Sequence, residues 1–136
     1  MNKYEITNKV HPLHSHLRRI RALRDISRYG VRAGALGGYI QSEKNLAHEG
    51  DAWVGDVACV YSNASVSGDA LVHGNASVSG DASVSGNAVV AGNASVSGNA
   101  IVSGDALVSG TAFVSGHALV SGHTVVQCSR FRRLRI

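Results

Sequence analysis

The chain has 136 residues, 44% hydrophobic and 16% charged, and a net charge of +4. That length suits one domain with appendages. No apolar run approaches a membrane span, and the charged N-terminus lacks a secretory core, so a cytoplasmic protein is expected. A phage particle or the infected host cytoplasm would equally need no signal. Two cysteines, Cys59 and Cys128, make no disulfide framework. The charge is partitioned: residues 1–49 carry +5, residues 50–128 carry −5 with no Lys or Arg, and residues 129–136 carry +4. Basic ends can attract anions or present a face to a partner, and they also discourage edge-to-edge stacking.

In chain order, residues 3–6 and 19–23 read as two short strands of a small cap. A helix over 17–26 competes, because Leu17, Ile20, Leu23 and Ile26 recur at threes. Between the strands stand His11, His14 and His16, without a nearby Cys or acid to complete a metal set, so loop histidines are expected. Ile40 and Leu46 are six apart but two residues out of phase with Val54, which predicts a small insertion around His48-Glu49.

From Gly50 the chain counts in sixes. Valine stands at 54, 60, 66, 72, 78, 84, 90, 96, 102, 108, 114, 120 and 126, and a small residue precedes each by two places. The unit is G-[N/D]-A-x-V-x. A-x-V is a strand alternation with Ala and Val on one side, and Gly-Asn or Gly-Asp supplies a corner. A corner every six residues with one face always inward describes a coil, and three sides close a triangular turn of eighteen residues. Gly at every sixth position excludes a helix. Both ends need caps, because a bare stack exposes unpaired strand edges. At the C-terminal end Phe131, Leu134 and Ile136 interleave with arginines, as an amphipathic capping strand would, or as a tail docking on a neighbour. The organisation predicted is a basic cap over 1–36, a repeat shaft over 37–128 and a basic tail over 129–136.

Residues eighteen apart share a face. The outward column Trp53, Leu71, Val89, Leu107, Val125 is apolar throughout, whereas the other two columns carry serines. An apolar stripe along one face is expected to be an oligomer interface.

The repeat over 50–127 resembles the hexapeptide-repeat superfamily, and so do Arg19-Ile20-Arg21-Ala22-Leu23-Arg24-Asp25, Leu36-Gly37-Gly38-Tyr39-Ile40 and Ser42-Glu43-Lys44-Asn45-Leu46. These three segments resemble a group of short bacterial and prophage hexapeptide proteins labelled acyltransferases without an assigned reaction. The resemblance implies an all-β fold, a left-handed parallel β-helix of four to five triangular coils, and a homotrimer. That hand departs from the right-handed crossover rule. It also implies two chemistries to look for. The acyltransferases use an imidazole base at a subunit seam, and here His73 is the one mid-shaft candidate. The carbonic anhydrase line holds zinc on three histidines. His117 and His123 lie on successive corners with His73 turns away, so no metal site is expected.

Three functions follow as expectations. The first is a non-catalytic structural or interaction module, a trimeric prism whose basic ends meet a protein partner. The second is a binding protein that sequesters an anionic, nucleotide-like molecule where Arg18, Arg19, Arg21, Arg24, Arg28 and Arg32 converge at subunit seams. The third is an acyltransferase using His73, the only reading that requires a cofactor, coenzyme A. Neither a membrane nor nucleic acid is the expected partner.

Overall fold

The computed structural model describes residues 2–127 and the strand backbone of residues 130–132. Each A-x-V segment forms a short strand, and the strands stack in parallel, in register, at eighteen-residue spacing: Val89 pairs with Leu71 and Leu107, Ser95 with Ser77 and Phe113. Three sheets result. The cap face runs through Cys59–Val60, Ser77–Val78, Ser95–Val96 and Phe113–Ser115. The serine face holds Ser65–Val66, Ser83–Val84, Ile101–Val102 and Leu119–Val120. The apolar face holds five strands, from Trp53–Val54 to Val125–Val126, one for each coil. The inward alanines from Ala52 to Ala118 and the inward valines from Val54 to Val126 are all buried, forming one continuous core. This is the parallel β-solenoid that the six-residue period requires.

The insertion lies where the phase slip placed it. Ile40 pairs with Val60 and Leu46 with Val66, twenty residues apart, whereas Val54 pairs with Val72 at eighteen. The two extra residues therefore fall between Leu46 and Val54.

The N-terminal strands are β1 (Tyr4–Val10), β2 (Arg18–Ala22) and β3 (Leu36–Ile40). The helical alternative over 17–26 does not form. β2 instead turns Ile20 and Ala22 inward on strand alternation, and Leu23 is left exposed. β1 pairs antiparallel with β2, β2 antiparallel with β3, and β3 parallel with the first cap-face strand. β3 can pack this tightly only because Gly37 and Gly38 lack side chains. A Cβ on Gly38 would sit 2.5 Å from the Ala58 carbonyl oxygen.

Outside the paired strand residues, the inter-coil bonds point the same way. Ser83 N–H donates to Ala100 O (3.0 Å) and Asn87 N–H to Gly104 O (2.8 Å), always toward the following coil. A stack with this polarity leaves orphan carbonyls at its N-terminal end, where burial without a partner is costly. The cap supplies side-chain donors to them. Lys3 Nζ donates to Ala52 O, Arg24 Nη2 to Gly50 O (2.8 Å) and Tyr4 Oη to Leu46 O (2.6 Å). At the other end Arg130–Arg132 extends the cap face beside Phe113–Ser115, with Phe131 in register with Val114. The expectations for Cys128, Leu134 and Ile136 fall outside the described residues.

Candidate functional sites

The apolar column is divided by the chain's own cap. Trp53, predicted at the interface, is only 2% exposed, in a region shared with Tyr29, Val31 and Leu36. Residues 29–36 come from a segment whose reach across this face no local pattern announces. Leu71 is half-buried against the same cluster. The surface stripe therefore consists of Leu71, Val89, Leu107 and Val125, with Val125 57% exposed. Beside it the second outward column reads Gly55, His73, Ala91, Ser109, Gln127, small or polar residues that keep the face flat.

His73 projects from the corner after Val72, half-buried, with its Nδ1 3.5 Å from Asp56 Oδ2. Asp56 occupies a corner where later repeats carry glycine, and its φ is 53°. It holds this conformation while its carboxylate accepts the Gly74 N–H (3.0 Å) and its carbonyl accepts Arg19 Nη2 (2.9 Å). With Nδ1 on the carboxylate side, Nε2 is the nitrogen left to face a groove of about 330 Å³ lined by Tyr29, Val31, Leu36, Trp53 and Leu71. His117 and His123 stay apart from it. His123 Nδ1 faces Asp105 (3.5 Å) instead. Among the described residues no three His, Cys, Asp or Glu side chains are placed to hold a metal ion.

The six arginines do not meet in one pocket of the single chain. Arg19 is turned inward, with Nε on Gly37 O (2.7 Å) and its guanidinium over the Tyr39 ring. Arg21 pairs with Glu5 (3.3 Å). Arg24 and Arg28 both face Asp51 (3.6 Å each), and Arg28 reaches Asp69 (3.5 Å). These pairs are exposed, so each contributes about 0–1 kcal/mol. They nonetheless occupy the guanidiniums. Arg18 and Arg32 alone have no polar partner among the described residues.

Three residues that sequence reasoning passed over organise the N-terminal end. Asn45 is fully buried. Its Oδ1 accepts the N–H groups of Gln41 (3.0 Å) and Ser42 (2.9 Å), and its Nδ2 donates to Ser62 O (3.2 Å) and Ala64 O (2.8 Å). His48 stacks on Tyr4 (4.2 Å), accepts the Lys3 N–H at Nδ1 (3.1 Å), and meets Glu43 through Nε2 (2.7 Å). Lys3 is the third. Burial, reinforced by Arg24, pulls its pKa down to about 8 against the weaker opposing pull of Asp51 and Asp69. Between about pH 8 and the ordinary lysine value, an unfolded chain keeps a proton that the folded chain has released. Folding therefore gains stability as pH rises through that window. Thermal melts of the native chain and of Lys3→Met between pH 7.5 and 10 check this. The native melting temperature should rise relative to that of the variant.

These features define the class: a hexapeptide-type parallel β-solenoid, capped by an antiparallel extension of one sheet. Residues 94–110 match a family model described as the YdcK beta solenoid repeat. No curated protein matches the chain. The family match bears on the repeat and its coil and assigns no reaction. No helix among the described residues is long and apolar enough to cross a membrane.

Proposed function

We propose that this chain is a rigid, non-catalytic scaffold that self-associates through its apolar face into a trimeric prism and offers its ends to a partner. The observation that carries this reading is the Leu71, Val89, Leu107, Val125 stripe. It is flat, in register and continuous, and it lies on a shaft whose other outward positions are mostly serine. A three-fold axis beside the stripe would bury the same residues from each copy. A solenoid closed laterally in this way leaves its basic cap open at one end, where Arg18 and Arg32 are exposed for contact.

Acyl transfer with His73 as base is the second reading, and the His73–Asp56 pair favours it. The residues lining its groove include no Lys or Arg for a diphosphate, so the single chain does not fit coenzyme A there. Sedimentation equilibrium tests the first reading. The native chain should sediment at three times the monomer mass. Leu71→Lys, Val89→Lys and Leu107→Lys combined should give monomers or aggregates, because they place three charges in the seam. A monomeric native chain at micromolar concentration overturns the scaffold. Acetyl-coenzyme A turnover that is lost in His73→Ala overturns its non-catalytic character.

A further inference from the structure

A second cleft, on the cap face, belongs to neither reading. The loop between β1 and β2 carries His11, His14 and His16, and its own bonds hold it open. His11 N–H donates to Leu17 O (2.9 Å), Leu17 N–H to His14 O (3.0 Å), and Leu13 N–H to His11 Nδ1 (3.0 Å). Leu17 is buried and anchors the loop. The loop stands off the strand bearing Cys59 and leaves a cleft of about 370 Å³, within the range of small-molecule pockets.

The cleft's walls are rings. His11 and His14 lie 5.0 Å apart, His14 and His16 6.0 Å, and His16 faces Tyr61 at 6.0 Å. His11 also meets Tyr39 edge-on at 4.6 Å. Leu17 and Val57 supply apolar surface, and Asn75 and Ser77 supply polar groups. The side chains of His14, His16, Tyr61, Asn75 and Ser77 make no hydrogen bond among the described residues, so all five are free to bond a ligand. No carboxylate lines the cleft. The titratable and charged groups facing the imidazoles are Tyr39, Cys59 and Tyr61, with the Arg19 guanidinium over Tyr39.

We propose that this cleft binds a planar aromatic anion, its ring held between the imidazoles and Tyr61 and its charge met by imidazole N–H, the Asn75 amide and the Ser77 hydroxyl. Ring faces and edges at these separations favour a flat aromatic guest. The free donors and the absence of acids select a negative group on that ring. The imidazoles lack a counter-charge of their own. Burial and the neighbouring His14 and His16 hold His11 below the ordinary histidine value. A bound anion supplies the missing charge and favours protonation, so binding takes up protons and tightens as pH falls.

Isothermal titration of the full chain with 2-naphthoate tests the proposal, with cyclohexanecarboxylate as the anion without an aromatic face. Naphthoate should bind with a dissociation constant below about 1 mM. Affinity should be up to about tenfold higher at pH 6 than at pH 8, and cyclohexanecarboxylate should bind far more weakly. His14→Gln with His16→Gln should abolish binding. Ser77→Leu, which fills the cleft from the solenoid side, should do so independently, with circular dichroism confirming that each variant keeps its β signature. No heat from the native chain at either pH overturns the proposal. Equal affinity for the two carboxylates, or naphthoate binding unchanged in both folded variants, overturns it as well.

Discussion

Gly104→Ala lowers the unfolding free energy by about 2–5 kcal/mol, whereas Gly122→Ala costs only about 1–2 kcal/mol. The two glycines have the same left-handed backbone, φ 65° and 64°. A side chain at either position meets the penalty for that conformation, about 1–2 kcal/mol. They differ in what lies above. A Cβ on Gly104 would sit 2.7 Å from the Gly122 nitrogen and 3.2 Å from its Cα, both backbone atoms of the next coil. Backbone cannot rotate away as a flexible side chain can, so the coils must separate locally and the adjacent Asp105-to-Gly122 bond (2.8 Å) is strained. Above Gly122 nothing described lies within 4 Å. Denaturant unfolding of the two variants makes the comparison. Equal losses would show that the corner glycines serve only backbone conformation and not coil spacing.

Asn45→Ala should cost about 3–5 kcal/mol, more than its loss of side-chain volume would suggest. Four polar backbone groups converge on this one amide, and each buried group left unpaired costs about 1–3 kcal/mol, less where water can reach it. Gln41 is exposed and recovers part of its share, whereas the Ala64 carbonyl is bonded inside the structure. Asn45→Asp is the sharper test because it keeps the shape. The carboxylate still accepts the Gln41 and Ser42 N–H groups, but its second oxygen now faces the Ser62 and Ala64 carbonyls. Protonation restores a donor there, so the folded-state pKa lies above the unfolded value. Stability of this variant should be greatest at low pH and fall as pH rises through the folded pKa. An Asp variant as stable as the native chain at pH 7 would refute the four-bond assignment.

The candidate sites were legible to unequal degrees. The apolar column could be read at eighteen-residue spacing because period and face are both local properties, and Leu71, Val89 and Leu107 do share one sheet. The loss of Trp53 from that surface could not be read, because the residues that share its region come from 29–36 and arrive by tertiary packing. The arginine cluster looked like one patch only because the residues are close in sequence. In space Arg19 faces Gly37 and Asp56, whereas Arg24 and Arg28 face Asp51, and each takes a partner where it lands. The histidine spacing correctly suggested a loop. That this loop stands over Tyr39, Cys59 and Tyr61 depends on β1 and β2 extending the cap face.

The sequence by itself determined the coil. A six-residue period with inward Ala and Val and a corner glycine has one economical solution, and each repeat needs only its neighbours to adopt it. It also determined the phase slip between Leu46 and Val54, since a break in a strict period shows wherever it falls. The tertiary structure decided the ends. Outside the paired strand residues the inter-coil hydrogen bonds run one way, so the corners and strand flanks of the first coil must find donors outside themselves, and Lys3, Tyr4 and Arg24 provide them across 26 to 49 positions of sequence. No periodicity encodes such contacts, because each is made once, between one side chain and one orphan carbonyl.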